Sequence, residues 1–528
     1  MSLTSTLDTP RPSLPILLIA GAAVFCVLVL LNVGGYRYGV SDQAFYVPMV
    51  LQGLEPDLYP HDTRLMEAQD RFFALDDWLA PILRLTGMSV PTAFLGAYLL
   101  SLLLLYGAAV AIGRTLYRTW WAVGGLVVGL ALRHRILDTA VNTLESYFHP
   151  RLLAFAMGLV AVALFLRQRT WGALFLVGLS IFVHPTTATW FVVWILTAAL
   201  VADRDNRRPL TAVAFAVAAI GVLAAVGPLR SQLAIMDDTW LRVLATKDYL
   251  IPTEWPPSTW VVQFVAPTLI AAVYQYRRSL GLASDRETGL VVGGGVLLLL
   301  FLASVPLSAA KVALAVQLQL NRIFWLLDVF ASCYLGWLLF ESPIRDRRAI
   351  PPAVVVRRTV VVIIAMLAIG RGSYVMLIER AGQPLVQPHL AETDWNRVMA
   401  WAADQPIGTN FLADPGHAWR YGTSLRAASG RDVYLEEIKD IGIAIYSREA
   451  AHDIAQRITD LGDFNTLEPD HARDLARRYD LDYLITKREV ALPLTRRFGP
   501  FGVYDLTSDP RLAPRVRLTA QADRRLTD

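Results

Sequence analysis

The segment Gly34-Gly-Tyr-Arg-Tyr-Gly-Val-Ser-Asp-Gln-Ala-Phe-Tyr-Val-Pro-Met-Val50 follows the first apolar run of the chain, and Asp57-Leu-Tyr-Pro-His-Asp-Thr-Arg64 continues the same loop. Most of the remaining chain consists of apolar segments. About 20 apolar residues are needed to cross a bilayer, and they must be helical because lipid offers the backbone no partners. The pattern predicts a helical membrane domain with a polar, aromatic loop at its edge, where a chemical site is expected.

The composition supports this class. Of 528 residues, 55% are hydrophobic and 18% are charged, and the formal net charge is only +4. This small charge gives no indication of a nucleic-acid partner. The two cysteines, Cys26 and Cys333, lie inside apolar runs, so no disulfide is expected.

Eleven apolar segments are predicted to span the membrane and to form, with their loops, a domain over residues 1–378. The large loops 34–90, 133–150 and 228–258 are expected on one face, and the first of them to contain an amphipathic helix near 67–85. The predicted spans are 13–33, 91–112, 120–132, 152–166, 171–183, 186–202, 210–226, 260–276, 290–307, 323–340 and 359–378.

The arginine distribution predicts the orientation, because short cytoplasmic loops carry an excess of Lys and Arg. Counting from a cytoplasmic N-terminus makes every predicted inside segment basic, so the large loops and the C-terminal region are expected outside. The arginines of the inside segments are Arg11, Arg114, Arg118, Arg167, Arg169, Arg204, Arg207, Arg208, Arg277, Arg278, Arg286, Arg345, Arg347, Arg348, Arg357 and Arg358.

Residues 379–528 have the composition of a soluble domain, and their patterns predict a small extracytoplasmic α/β domain. Helical spacing is predicted over three segments, and strands over four others. The helices are 393–403, 447–461 and 470–479, and the strands are 409–413, 431–435, 482–486 and 502–506.

Asp42 follows Ser41 where a short helix begins, so it either caps that helix or acts as a base or metal ligand just above the membrane. The same loop offers further titratable groups that could converge with it, as a site requires. The structural alternatives are a turn in which Pro60 fixes φ, and a helix cap formed by Asp62. The substrate-binding candidates of this loop are Asp57, His61, Asp62 and Arg64.

Other candidates lie where predicted spans begin on the external side. Arginine offers a fork of donors suited to phosphate. The structural alternatives are an arginine that extends its charged group to the membrane surface, and a proline that occupies the first turn of a helix. Asp237 and Asp238 either hold a divalent cation or form a solvated acidic loop. The substrate-binding candidates of these other loops are Glu145, His149, Arg151, His184 and Arg322.

The motifs of several protein classes are missing from the sequence. There is no Walker loop, no GxGxxG in a βαβ context, no HExxH and no CxxC pair. ATP-driven pumps, nucleotide-binding dehydrogenases and zincins are therefore disfavoured. Few charges lie deep inside the spans, which also disfavours an ion-coupled transporter.

The layout and several short motifs resemble the GT-C superfamily of polytopic glycosyltransferases, which use polyprenyl-phosphate-linked sugars. The segments that carry the resemblance are Ser41-Asp-Gln43, Leu58-Tyr-Pro-His-Asp62, His149-Pro-Arg151, His184-Pro185, Trp395-Asn-Arg-Val-Met-Ala-Trp-Ala402, Tyr479-Asp-Leu-Asp-Tyr-Leu-Ile-Thr486 and Val503-Tyr-Asp-Leu506.

The resemblance implies roles for individual residues. Asp42 would be the general base or would orient a metal, and Arg151 and Arg322 would hold the lipid phosphate. His61 and His149 would bond sugar or phosphate. The lipid tail would lie between spans, and the external domain would help bind the acceptor. Candidates for a second carboxylate are Asp57, Asp62 and Glu145.

The function expected from the resemblance is sugar transfer from a polyprenyl-phosphate donor to an envelope glycan, lipid or protein on the external face of the bacterial inner membrane. A divalent cation is left open as a cofactor. The alternatives are a non-catalytic transporter or flippase for lipid-linked sugars or other envelope components, and an envelope scaffold whose external domain binds partners.

Overall fold

The computed structural model describes residues 14–71, 73–342 and 350–508. The predicted cytoplasmic residues Arg11, Arg345, Arg347 and Arg348 lie outside these ranges. The helices of the first half are α1 (Leu14–Val33), α2 (Gln43–Leu54), α3 (Thr63–Asp70), α4 (Leu75–Thr86), α5 (Val90–Leu116), α6 (Trp120–Leu130), α7 (Pro150–Leu166), α8 (Thr170–Ser180), α9 (Pro185–Ala202) and α10 (Arg207–Val226).

The second half of the bundle continues with α11 (Asp238–Leu244), α12 (Pro257–Ser279), α13 (Asp285–Ala309), α14 (Ala313–Leu318), α15 (Ile323–Phe340) and α16 (Ile350–Tyr374). Within the described residues, eight helical segments are long and apolar enough to cross a membrane, and three apolar helices are shorter. The three shorter ones are α6, α7 and α8. These eleven segments fall where the sequence predicts them, so the chain is a mainly α, multi-pass membrane protein.

The first large loop differs from its prediction. One helix over 67–85 is expected, but α3 ends at Asp70 and α4 begins at Leu75. Asp76 and Asp77 occupy the first turn of α4, where the positive end of a helix favours acidic side chains. These acidic residues therefore start a second helix and make the single-helix prediction wrong.

The C-terminal region contains the helices α17 (Asp394–Ala403), α18 (His417–Tyr421), α19 (Leu425–Ser429), α20 (Glu437–Ala444), α21 (Arg448–Leu461) and α22 (Pro469–Tyr479). The strands of the whole chain are β1 (Tyr36–Arg37), β2 (Arg135–Ile136), β3 (Val141–Asn142), β4 (Val386–Gln387), β5 (Asn410–Ala413), β6 (Asp432–Val433), β7 (Tyr483–Thr486), β8 (Leu494–Phe498) and β9 (Phe501–Asp505).

Five of these strands form a mixed sheet in the order β6-β5-β7-β9-β8. Strand β5 is parallel to β6 and β7, whereas β9 runs antiparallel to β7 and β8. The sequence predicts four of the five strands and does not predict β8. This strand is exposed and contains Arg496 and Arg497, so it lacks the apolar alternation of a buried strand.

The first loop and the C-terminal region are joined by several contacts. Strand β1 pairs in parallel with β4, just after the last span. Helix α20 packs on α2, because Gly442 leaves room for the ring of Phe45. The buried Lys439 Nζ donates hydrogen bonds to Phe45 O at 3.2 Å and to Gln69 Oε1 at 2.6 Å. The C-terminal region thereby forms one wall over the end of the membrane bundle.

Candidate functional site

A cavity of about 670 Å³ lies where three apolar helices begin. The residues at the start of these helices, His149 for α7, His184 for α9 and Arg322 for α15, all line it. Helix N-termini carry partial positive charge and unpaired backbone N–H groups. The cavity therefore has the electrostatic character of an anion-binding site at the edge of a membrane domain.

Asp42 lies on the wall of this cavity, immediately before α2. Its Oδ2 accepts a hydrogen bond from the Tyr147 hydroxyl at 3.1 Å and lies 3.5 Å from His149 Nε2. The side chain is 40% exposed. Burial raises the pKa of Asp42, but the effects of His149, Arg151 and Tyr147 outweigh it and hold this pKa below its usual range. Asp42 is therefore an ionised carboxylate that faces the cavity.

The two predicted histidines also line the cavity, with ring centres 6.1 Å apart. His149 Nδ1 accepts a hydrogen bond from the Arg151 backbone N–H at 3.1 Å, which assigns the ring proton to Nε2 and directs it to Asp42. Burial and Arg151 lower the pKa of His149 to about 4, so the ring is neutral at pH 7. His184 Nδ1 accepts from the Thr187 backbone N–H, and burial lowers its pKa as well.

Of the three candidates for a second carboxylate, Asp57, Asp62 and Glu145, the one that lines the cavity with Asp42 is Glu145. Its Oε1 accepts a hydrogen bond from Arg151 Nη2 at 2.9 Å, and both side chains are nearly fully buried. Burial raises the pKa of Glu145 to about 7, although Arg151 opposes the rise. A buried ion pair of this kind fixes the direction of the arginine fork.

Arg322 supplies a second guanidinium to the cavity. Its Nε is buried and has no hydrogen-bond partner among the described residues. The preceding Asn321 fixes the local backbone, because its side-chain amide donates to Asp138 O at 3.1 Å and to Tyr249 O at 2.9 Å. A buried donor without a partner carries a free-energy penalty that a ligand could remove.

The backbone around the cavity is strained. Eight non-glycine residues have positive φ in the described part of the chain, and four of them line this cavity. Such conformations cost about 1–3 kcal/mol each and concentrate at functional sites. The four residues are Ser41, Asp138, Ala140 and Gln319.

The four other candidates from the first loop lie outside this cavity. Asp57 is exposed, and His61 Nε2 lies 3.0 Å from Gly408 O. Asp62 is buried in an ion pair with Arg426 at 2.7 Å. Arg64 is 90% exposed and lies 3.8 Å from Asp453. These side chains therefore contact the C-terminal region or solvent.

Several residues that sequence reasoning did not select also line the cavity. Their signal in the sequence is weak, because they are scattered over four separate segments and no spacing connects them. The tyrosines offer hydroxyl groups and ring faces, and the lysine adds a cation. These residues are Tyr46, Tyr147, Lys247, Tyr249 and Tyr446.

Among the described residues, the cavity contains no group of three acidic, histidine or cysteine side chains close enough to share a metal ion. Tyr147 and His149 already engage Asp42 Oδ2, and Arg151 holds Glu145. Within the described ranges, three acidic groups are close enough to share an ion at Asp70, Asp76 and Asp77, which do not line the cavity. Asp237 instead accepts hydrogen bonds from the Trp240 backbone and from Arg448.

The chain is similar to a solved structure, the apo form of an oligosaccharyltransferase from the archaeon Archaeoglobus fulgidus. The match covers 89% of this chain and 69% of that chain, with 12% sequence identity and a TM-score of 0.47. No family model and no curated protein matches the sequence.

Proposed function

We propose that the protein transfers a sugar from a polyprenyl-phosphate donor to an acceptor hydroxyl at the external surface of the membrane. The observation that carries this proposal is that the partly exposed carboxylate Asp42 shares a cavity with Arg151 and Arg322 where three helices begin. The cations and helix ends suit a phosphate, and the carboxylate suits a proton acceptor.

The donor phosphate is assigned to Arg322 and to the Arg151 N–H groups that Glu145 does not engage. Arginine binds phosphate through parallel hydrogen bonds, and the N-termini of α7, α9 and α15 add favourable dipoles. The free Arg322 Nε is a donor available for this purpose. Because the cavity lies at the end of the bundle, the prenyl chain can remain in lipid while its phosphate reaches these groups.

The chemistry follows from this arrangement. The bond between the sugar anomeric carbon and the phosphate oxygen breaks, and a bond from that carbon to the acceptor oxygen forms. Asp42 accepts the proton of the acceptor hydroxyl; its Oδ1 receives no hydrogen bond from the described residues. Arg151 and Arg322 stabilise the negative charge that develops on the leaving phosphate.

His149 positions the base in this proposal. Its Nε2–H faces Asp42 Oδ2, and Tyr147 bonds the same oxygen, so the carboxylate is held with Oδ1 free. The acceptor is an envelope glycan, lipid or protein, and the membrane is the bacterial inner membrane. The arginines that are predicted to be cytoplasmic favour an orientation with the cavity outside.

The experiment is transfer of radiolabelled sugar from polyprenyl-phosphate donors by the purified full-length protein in lipid nanodiscs. Asp42→Asn is expected to lower the transfer rate by about 10²–10⁴-fold, since it removes the proton acceptor and keeps the side-chain shape. The matched control is Asp57→Asn, an exposed loop carboxylate outside the cavity. Equal transfer by wild type and Asp42→Asn contradicts the role of the base.

Two further results favour other functions. Movement of intact lipid-linked sugar across the bilayer without transfer favours a flippase. An envelope partner that binds the C-terminal region, together with no transfer from any polyprenyl-phosphate donor, favours a scaffold.

A further inference from the structure

A second cavity of about 1010 Å³ adjoins the first one. The two share a wall that includes Tyr147, whose hydroxyl is bonded to Asp42. A transfer reaction brings two substrates to one proton acceptor, so a second compartment beside Asp42 is suited to the second substrate. The shared residues are Ser41, Arg133, Asn142, Glu145, Tyr147 and Trp419.

The second cavity lies between the bundle and the C-terminal region. Val33 at the end of α1 and Arg380 just after the last span contribute to one side. Trp419 and Tyr421 of α18 contribute to the other side. A molecule bound there rests at the end of the membrane bundle and can present a group toward the shared wall.

The aromatic residues of this cavity suit a carbohydrate. Trp419 is 62% exposed although it is a large apolar side chain, and it lines both cavities. Tyr421 and Tyr38 line the second cavity as well. A sugar ring presents an apolar face to an aromatic ring and hydroxyl groups to polar neighbours, as the walls of small-ligand sites require.

The charges of this cavity suit an acidic group. Arg133 and Arg380 are exposed, and neither lies within 4.0 Å of a carboxylate among the described residues. The acidic residues on the walls are Glu145, which is paired with Arg151, and the exposed Glu392. Two exposed guanidinium groups match a carboxylate or phosphate substituent through paired hydrogen bonds.

We propose that the second cavity is the acceptor site and that its ligand is a carbohydrate with an anionic substituent. The acceptor role of this ligand rests on the function proposed above. The binding site itself is independent of turnover. The acceptor hydroxyl reaches Asp42 past Tyr147, while the donor phosphate binds Arg322 on the other side.

The test measures saccharide binding by saturation-transfer NMR with the full-length protein in phosphatidylcholine nanodiscs. The probes are a hyaluronan tetrasaccharide, which carries carboxylates, and chitotetraose, which is neutral. The acidic probe is expected to bind roughly tenfold more tightly. Trp419→Ala is expected to weaken binding of both probes by roughly tenfold, and Arg380→Met to remove the preference for the acidic probe.

The matched controls are Trp171→Ala, an exposed tryptophan on α8, and Arg496→Met on the exposed strand β8. Neither is expected to change binding. The proposal is overturned if neither probe binds at millimolar concentration, or if Trp419→Ala binds like wild type. It is also overturned if phosphatidylglycerol in the nanodiscs displaces the acidic probe, because the cavity then binds lipid.

Failure of this inference is distinguishable from failure of the proposed function. Arg322→Met is expected to weaken binding of polyprenyl phosphate by roughly tenfold to a hundredfold and to leave saccharide binding unchanged. If Asp42→Asn transfers sugar normally while saccharides still require Trp419, the proposed role of Asp42 fails and the saccharide site remains. If transfer requires Asp42 but saccharides bind independently of Trp419, only the acceptor site fails.

Discussion

Two charge clusters use residues of the same loop, and they differ in how completely their arginines are paired. At the junction with the C-terminal region, Arg426 donates to Asp62 at 2.7 Å, to Asp440 at 2.6 Å and to Val433 O at 2.9 Å. In the cavity, Arg322 Nε has no partner among the described residues and Asp42 is 40% exposed.

The difference separates a structural cluster from a candidate site. A buried charge that is fully hydrogen-bonded needs no ligand, whereas an unpaired one is costly unless a ligand completes it. Removing one partner from a paired cluster leaves uncompensated buried charge. Removing the unpaired arginine relieves a cost instead, so the two clusters should respond oppositely to the same substitution.

The largest expected effect is at the junction. Arg426→Met should lower the free energy of unfolding by about 3–5 kcal/mol, because Asp62 and Asp440 lose their buried cation. Thermal unfolding in detergent measures this change. The control Arg64→Met removes an exposed arginine of α3 that lies 3.8 Å from Asp453, and it should change stability by less than about 1 kcal/mol. Similar unfolding temperatures for the two variants would refute the assignment of the junction as structural.

The second effect is on ligand binding. Arg322→Met should weaken polyprenyl-phosphate binding by roughly tenfold to a hundredfold, equivalent to about 1.4–3 kcal/mol, because a charge-assisted hydrogen bond is lost. Its unfolding temperature should not fall, since no protein partner is left unpaired. A variant that binds the lipid phosphate normally but unfolds early would show that Arg322 is a structural residue.

A third prediction concerns pH. Burial and Asp62 raise the pKa of Asp432 to about 8, so the folded state holds a proton that the unfolded state releases above about pH 4. Wild type should therefore lose stability as pH rises through the window from 4 to 8. Asp432→Asn should make the free energy of unfolding less dependent on pH, and this variant should be as stable as wild type near pH 4. Parallel stability curves for the two proteins would contradict it.

The smallest effect concerns the backbone before the proposed base. Ser41 has φ +52, a left-handed conformation that glycine adopts without penalty. Ser41→Gly should raise stability by up to about 1 kcal/mol and lower the transfer rate, because Asp42 becomes less firmly positioned. The control is Gln168→Gly, because Gln168 also has a positive φ and lies on the predicted cytoplasmic side. A loss of transfer in both variants would argue against a local effect at Asp42.

The sequence alone determined the class of the fold. Residues of the apolar runs must be helical in lipid whatever their neighbours are, so all eleven segments could be located from hydropathy. Helices α17, α21 and α22 and four strands were likewise readable from local periodicity. Strand β8 and the break between α3 and α4 were not, because an exposed edge and a short turn leave little periodic signal.

The site depended on the tertiary structure. Six polar residues near the ends of apolar runs could be selected from the sequence, and they meet in one cavity. They are Asp42, Glu145, His149, Arg151, His184 and Arg322. In the sequence, Asp62 resembles these six residues. In the structure it forms a buried ion pair with Arg426, which lies 364 residues further along the chain. Whether a charge is paired is decided by contacts between distant segments, which hydropathy and spacing do not encode. The chain's local patterns therefore determine where its helices lie, and only their packing decides which polar groups remain free to bind a ligand.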